Sequence, residues 1–159
     1  MLRMILQETF VVKDCLFYDD GVTSPKTVTW YNQNSAYTLT PASDGTLVEI
    51  SQTSSQKLFA DGTTYSNSSK YSAPVCAEVE IVSNNGNDNL FVIVANKVPS
   101  MALTGGKTLK MVWDGSTVKK YVDGVQTGTT NDVTGEKIAI GFSCTSGSFK
   151  FKNLCIYPI

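Results

Sequence analysis

The sequence predicts an all-β protein, an antiparallel β-sandwich. Apolar residues recur with a period of two along several short segments, and no window keeps a helical period through a dozen residues. Polar, Gly-containing turns separate these segments at short intervals. The length, 159 residues, fits a single domain over 1–159, a size that buries about two-thirds of the unfolded chain's surface.

Near the N-terminus, the apolar stretch Met4 to Leu6 is broken by Gln7 and Glu8, well short of what a secretion signal needs. The chain is therefore expected to be made without a leader in the cytoplasm, or to be a module of a longer one. It contains no run of about 18 apolar residues, so no membrane insertion is expected. Leu16-Phe-Tyr runs into the turn Asp19-Asp20-Gly21, and Val28 with Trp30 marks a short strand. Tyr37 to Thr40, Leu47 to Ser51 and Leu58 to Ala60 are further short strands, split by Ser43-Asp-Gly45 and Asp61-Gly62. Thr63 to Lys70 reads as a Ser/Asn-rich loop holding Tyr65 and one Asn67-Ser-Ser sequon.

The second half is more regular. Val75, Ala77, Val79 and Ile81 alternate with Cys76, Glu78 and Glu80, the pattern of a strand with one buried face. Leu90 to Ala95 is apolar on both faces, which predicts a central strand covered on each side. Leu109, Met111 and Trp113 alternate with Lys110 and Val112, and Asp114-Gly-Ser116 then turns the chain into Thr117 to Val122. Asp123-Gly124 is a strong two-residue hairpin signal and leads into Val125 to Thr129. Ile138 to Phe142 and Phe149 to Tyr157 close the domain. In the last segment Phe149 and Phe151 share one parity while Leu154 and Ile156 have the other, which predicts a bulge near Lys152-Asn153.

Composition excludes several functions. Only 17% of residues are charged and the net charge is −1, so the basic footprint that nucleic acid requires is absent. There is no histidine, which removes imidazole bases and His-ligated zinc. Nucleophilic Ser or Cys chemistry has neither a G-x-S-x-G elbow nor a histidine partner. Ser, Thr and Asn exceed a quarter of the residues. Cys15, Cys76, Cys144 and Cys155 form no CxxC pair and sit in apolar strand-like settings, where free thiols behave as small hydrophobes. The alternative is one disulfide, Cys15 with Cys155, should the first and last strands pair.

The segment Thr108-Leu-Lys-Met-Val-Trp-Asp-Gly-Ser-Thr-Val-Lys-Lys-Tyr-Val-Asp-Gly-Val-Gln-Thr-Gly128 and the ending Phe149-Lys-Phe-Lys-Asn-Leu-Cys-Ile-Tyr157 resemble the concanavalin A-like jelly-roll superfamily, laminin G-like modules included. The resemblance covers residues 75–159, and the first half only by strand count. It implies the jelly-roll fold and a range of roles: lectins, carbohydrate-binding modules, glycoside hydrolases, adhesion modules, and tail or fibre domains of bacterial or archaeal viruses.

Candidate chemistry is sparse. Glu78 and Glu80 are a carboxylate pair on one strand face, about 7 Å apart along it, a spacing at which an acid and a base can act on a sugar. Laminarinase-like members of the superfamily carry three such acids, whereas Cys76 and Val82 flank this pair, so solubilising an outward face is the favoured reading. Sugar platforms need exposed rings beside amides and hydroxyls. Trp113 is in phase with the core, which leaves Trp30, Asn32, Gln33, Asn34, Tyr37, Tyr65 and Tyr71, with Tyr31 beside them, as the ligand-binding candidates. Asp19, Asp20 and Asn84 to Asn89 supply hard oxygens for a possible Ca2+, though turn formation explains them, and no cofactor is expected. Lys119-Lys120 reads as a solvated charge pair. The resulting expectation is a non-catalytic recognition or structural module, a viral-particle or cell-surface component at a virion or extracellular surface. It would bind glycan or a protein partner, with a homo-oligomer as an open option. The alternative is a carbohydrate-binding module of a glycan-degrading system, or a glycoside hydrolase using Glu78 and Glu80.

Overall fold

The computed structural model describes residues 15–51, 56–61 and 70–159. Tyr65 and the Asn67 sequon lie outside them, as does the N-terminal stretch. Thirteen strands follow in chain order among the described residues: β1 (Phe17–Asp19), β2 (Trp30–Asn32), β3 (Tyr37–Ala42), β4 (Gly45–Ile50), β5 (Gln56–Ala60), β6 (Val75–Asn84), β7 (Leu90–Val94), β8 (Ser100–Ala102), β9 (Lys107–Trp113), β10 (Thr117–Val122), β11 (Val125–Asn131), β12 (Ala139–Cys144) and β13 (Ser148–Pro158). A 3-10 turn, Gln33–Ser35, separates β2 from β3.

The strands form two antiparallel sheets. The larger runs β11-β10-β9-β6-β13-β4-β3, with β1 also paired to β13, and the smaller runs β2-β5-β12-β7-β8. The sandwich expected from the alternating pattern is therefore the observed architecture. Val75, Ala77, Val79 and Ile81 of β6, Leu109, Met111 and Trp113 of β9, and Ile140 and Phe142 of β12 all point into one core and are almost fully buried. Trp113 is in phase with them, and its indole N–H donates to the Val133 carbonyl at 2.8 Å. Phe142 lies at the centre of an aromatic group, with ring centroids 4.7 Å from Phe149, 5.5 Å from Phe151 and 5.6 Å from Phe91.

The turns follow their sequences. Asp123 and Gly124 both adopt positive φ, +49° and +81°, the conformation a two-residue hairpin with native twist demands. The Asp114 carboxylate accepts from the Ser116 and Thr117 amides at 2.8 and 2.7 Å. Opposite β13, Lys152 pairs with Glu80 and Cys155 with Glu78, so Asn153 and Leu154 face the single residue Val79. This is the bulge that the parity change predicts. Asn153 carries it at φ +50°, a conformation that Asn tolerates better than most side chains.

Two expectations need correction. β7 is buried on both faces at Phe91, Val92 and Ile93, yet it is next to the edge, flanked outside only by three-residue β8. The sequence favours four free thiols, whereas Cys15 and Cys155 form a disulfide with Cα atoms 5.6 Å apart. β1 pairs with β13 at Tyr18↔Cys155, which delivers residue 15 to its partner. Cys76 and Cys144 are free and buried.

Candidate functional site

Of the described aromatic and amide candidates, Tyr37 and Tyr71 are buried, Trp30, Asn32 and Gln33 are half-buried, and Asn34 is exposed. The Trp30 ring packs at 5.2 Å edge-on to Phe17 and stacks at 5.9 Å on Phe142, and its N–H donates to Asp19 at 2.9 Å. Tyr37 is buried, its hydroxyl donating to the Gln56 carbonyl at 2.6 Å. Burial raises its pKa above the ordinary tyrosine value. Tyr71 is likewise buried, donating to the Ala60 carbonyl. The Asn32 amide clamps the Tyr37 backbone, donating to its carbonyl at 2.7 Å and accepting from its N–H at 3.0 Å. Asn34 donates to the Gln56 side chain, and the Gln33 side-chain oxygen Oε1 accepts from the Lys57 backbone amide. Tyr31 is half-buried and stacks on Phe59 at 6.0 Å, on the outer side of the small sheet. These groups shape the β2–β3 corner.

The possible calcium donors are also engaged. Asp19 is 3% exposed and takes the Lys26 ammonium at 2.8 Å, the Trp30 N–H and the Gly21 amide. Asn84 and Asn89 tie their loop together and to Ser146. No group of three or more acidic, Cys or His side chains suited to a metal occurs among the described residues.

A different surface gathers chemistry. Directly paired residues of antiparallel strands point to the same face, and register links one row across five strands of the large sheet. Tyr121 of β10 opposes Lys110 of β9, Lys110 opposes Glu78 of β6, Glu78 opposes Cys155 of β13, and Cys155 opposes Tyr18 of β1. At the usual strand spacing the row from Tyr121 to Tyr18 spans roughly 19 Å. The row on one side carries Lys119, Val112, Cys76 and Tyr157, and that on the other carries Thr108, Glu80 and Lys152. Because β6 and β13 turn their apolar sets inward, this outward face carries Tyr, Lys and Glu around Val112, buried Cys76 and the Cys15–Cys155 disulfide.

Its side chains are braced against one another. The Lys110 ammonium sits 4.9 Å above the Tyr121 ring, and Lys152 pairs with Glu80 at 3.4 Å. The Tyr18 hydroxyl donates to the Asn153 side-chain oxygen Oδ1 at 3.0 Å. Burial, then the charges of Asp20 and Glu80, raises the Tyr18 pKa. Tyr157 and Cys76 share a hydrogen bond, and burial raises both of their pKa values. At the Tyr18 end the face meets a groove of about 270 Å³ bordered by Leu16, Val28, Thr29 and Asp61. A polar recess of about 60 Å³, lined by Tyr18, Asp20, Thr23 and Lys26, adjoins it. Half-exposed rings beside carboxylates and ammonium groups can stack on C–H faces and hydrogen-bond hydroxyls together, as an uncharged polar ligand requires.

Glu78 and Glu80 lie on β6, the middle strand of the seven in the main path of the sheet. Tyr18, Tyr121 and Tyr157 escaped the sequence-based selection because they lack amide-rich neighbours. Tyr121 was accessible in principle, since its parity is opposite to that of buried Val118. Tyr18 and Tyr157 depended on knowing that β1 and β6 flank β13.

No family model matches the chain, and no curated protein does. Among solved structures, the carbohydrate-binding module CBM66 from Bacillus subtilis is similar at 12% identity and a TM-score of 0.53, over 82% of this chain and 97% of that one. The Crh5 transglycosylase in complex with NAG is similar at 12% identity and a TM-score of 0.57, over 89% and 83% of the two chains. Its apo form gives 11% identity and a TM-score of 0.59 over the same shares. These likenesses establish the fold that the three share. The expectation of a non-catalytic module is overturned here, because the same sandwich carries a transglycosylase. None of the three is described as viral, and a particle role draws no support from them.

Proposed function

We propose that the protein binds carbohydrate across the exposed face of its large sheet. The observation that carries this reading is the single cross-strand row Tyr121–Lys110–Glu78–Cys155–Tyr18, which ends in a ring at each side. Rigid strands fix the spacing of the rings, so little side-chain freedom is lost when a ligand docks. Similarity of fold to CBM66 and Crh5 supports the reading. A glycan array screened with the folded chain, followed by calorimetry on the best oligosaccharide, tests it. Tyr18→Ala and Tyr121→Ala are each expected to weaken binding about tenfold, or about 1.4 kcal/mol, while Thr38→Ala on β3 changes nothing. Full affinity in both tyrosine variants, or silence across the array, would overturn it.

A second reading, cleavage or transfer of a glycan by Glu78 and Glu80, is favoured by one specific observation. Their strand is central, which places both carboxylates in the middle of the proposed binding face. Alternate positions on a strand suit a pair in which one group protonates the leaving oxygen and the other attacks or activates water. Glu78→Gln and Glu80→Gln should then each abolish release of reducing ends from a bound polysaccharide and leave its binding intact. Absence of any product with the unaltered chain rejects this second reading and spares the first.

A further inference from the structure

Sheet edges expose unpaired backbone groups, and folded proteins blunt them by shortness, proline or charge. The free edges among the described residues are β1, β2 and β8, each three residues long, together with β3 and β11. β3 contains Pro41, which withholds one amide. β11 alone has none of these three; a bulge interrupts its first half, and the Lys97 ammonium donates to the Asn131 carbonyl at its end. Its seven residues, Val125-Gln-Thr-Gly-Thr-Thr-Asn131, include no proline and no charge, and its pairing partner is β10. Thr127 is the extra residue of a bulge, since Gln126 opposes Tyr121 and Gly128 opposes Lys120. The stretch from Gly128 to Asn131 continues in regular register. The acids at the two ends are neutralised, Asp123 by Lys107 at 2.9 Å and Asp132 by Lys97 at 3.7 Å.

We propose that β11 pairs antiparallel with β11 of a second copy of this chain, forming one continuous sheet across a two-fold axis. A strand with no charge meets itself without like-charge repulsion, and Thr–Thr cross-strand pairs are favourable. The only axis that relates two antiparallel copies of one edge strand is perpendicular to the sheet, so both outer faces lie on the same side. The dimer contact rests on the edge alone. Its consequence, two sugar faces presented side by side, rests on the reading above.

Light scattering and sedimentation of the full chain over a wide concentration range test the contact, independently of any glycan. The mass of two chains is expected, falling to one chain in Gln126→Lys/Thr129→Lys, with melting temperature and far-UV dichroism unchanged. Thr38→Lys/Thr40→Lys, which charges the β3 edge, should retain two chains. Should the double β11 variant melt early, Thr129→Lys alone serves the same comparison. A one-chain mass for the unaltered protein throughout, two chains in the β11 variants, or dissociation by the β3 variant would overturn the proposal.

Discussion

Asp19 illustrates how a turn residue becomes a structural anchor. Its carboxylate is almost wholly buried and accepts from the Lys26 ammonium, the Trp30 indole and the Gly21 amide. Lys26 also donates to Thr46, whose hydroxyl in turn donates to the Gly21 carbonyl. Removing one partner of such a buried pair strands the other, at a cost of about 3 kcal/mol or more. Asp19→Ala should therefore lower the melting temperature by about 6–12 °C, and Asp19→Ala/Lys26→Met should recover part of that loss. Calorimetry of the three proteins checks both statements; an additive double variant would show the pair to be uncoupled. Gly141 is a second such position, because a Cβ there would run into the Leu58 carbonyl oxygen across the β12–β5 pairing.

Among the elements, β13 does the most to organise the molecule. It pairs with β6 along one side and with β4 and then β1 along the other, and its bulge turns Leu154 and Ile156 inward after Phe149 and Phe151. The Cys15–Cys155 disulfide fastens the chain just before β1 to this strand. It closes a loop over 140 positions, and long loops gain most from closure, typically about 2–4 kcal/mol. Cys15→Ser/Cys155→Ser should accordingly unfold at lower denaturant with the native fold retained. The two remaining thiols behave differently. Burial pushes Cys144 up to about 12 and raises Cys76 as well, so both hold their protons at neutral pH, and the thiolate is the reactive form. Iodoacetamide at pH 8 should label neither in the native protein and both after unfolding without reductant, as intact mass spectrometry would report. Labelling of the native chain would contradict that burial.

For the whole molecule, charge is scarce, and among the described residues it lies mostly in turns and on the outer face of the large sheet. Ser116 and Thr117 amides hold Asp114 below its ordinary pKa, and the Thr108 amide and Lys107 do the same for Asp123. A folded-state pKa below the unfolded value near 3.9 means the contribution is present above that pH and lost as the pH falls through the folded value. The melting temperature should therefore be flat from about pH 7 to 5 and decline below about pH 4. Asp114→Asn should shallow that decline, and an unchanged slope would assign it elsewhere. If two copies share a continuous sheet, affinity for a polymeric glycan should exceed that for a short oligosaccharide through raised effective concentration, and Gln126→Lys/Thr129→Lys should erase the difference.

Local chemistry was sufficient to announce the fold. Alternation along residues 75–81 and 109–113 decides which side chains face a core, Asp-Gly at 123–124 decides a hairpin, and the parity change near Lys152 decides a bulge, since each depends only on neighbours in the chain. The absence of histidine likewise removed whole reaction classes. The site was much less legible. Trp30 and Tyr37 sit among amides in sequence, the pattern of a sugar groove, but tertiary packing turns them into the β2–β3 corner. Tyr18, Glu78 and Tyr121, separated by dozens of residues, become neighbours only because β1, β13, β6, β9 and β10 lie side by side. Strand order is a matter of long-range pairing, and no local pattern encodes it. Period-two alternation tells which residues leave the core, and only the assembled sheet tells which of them meet.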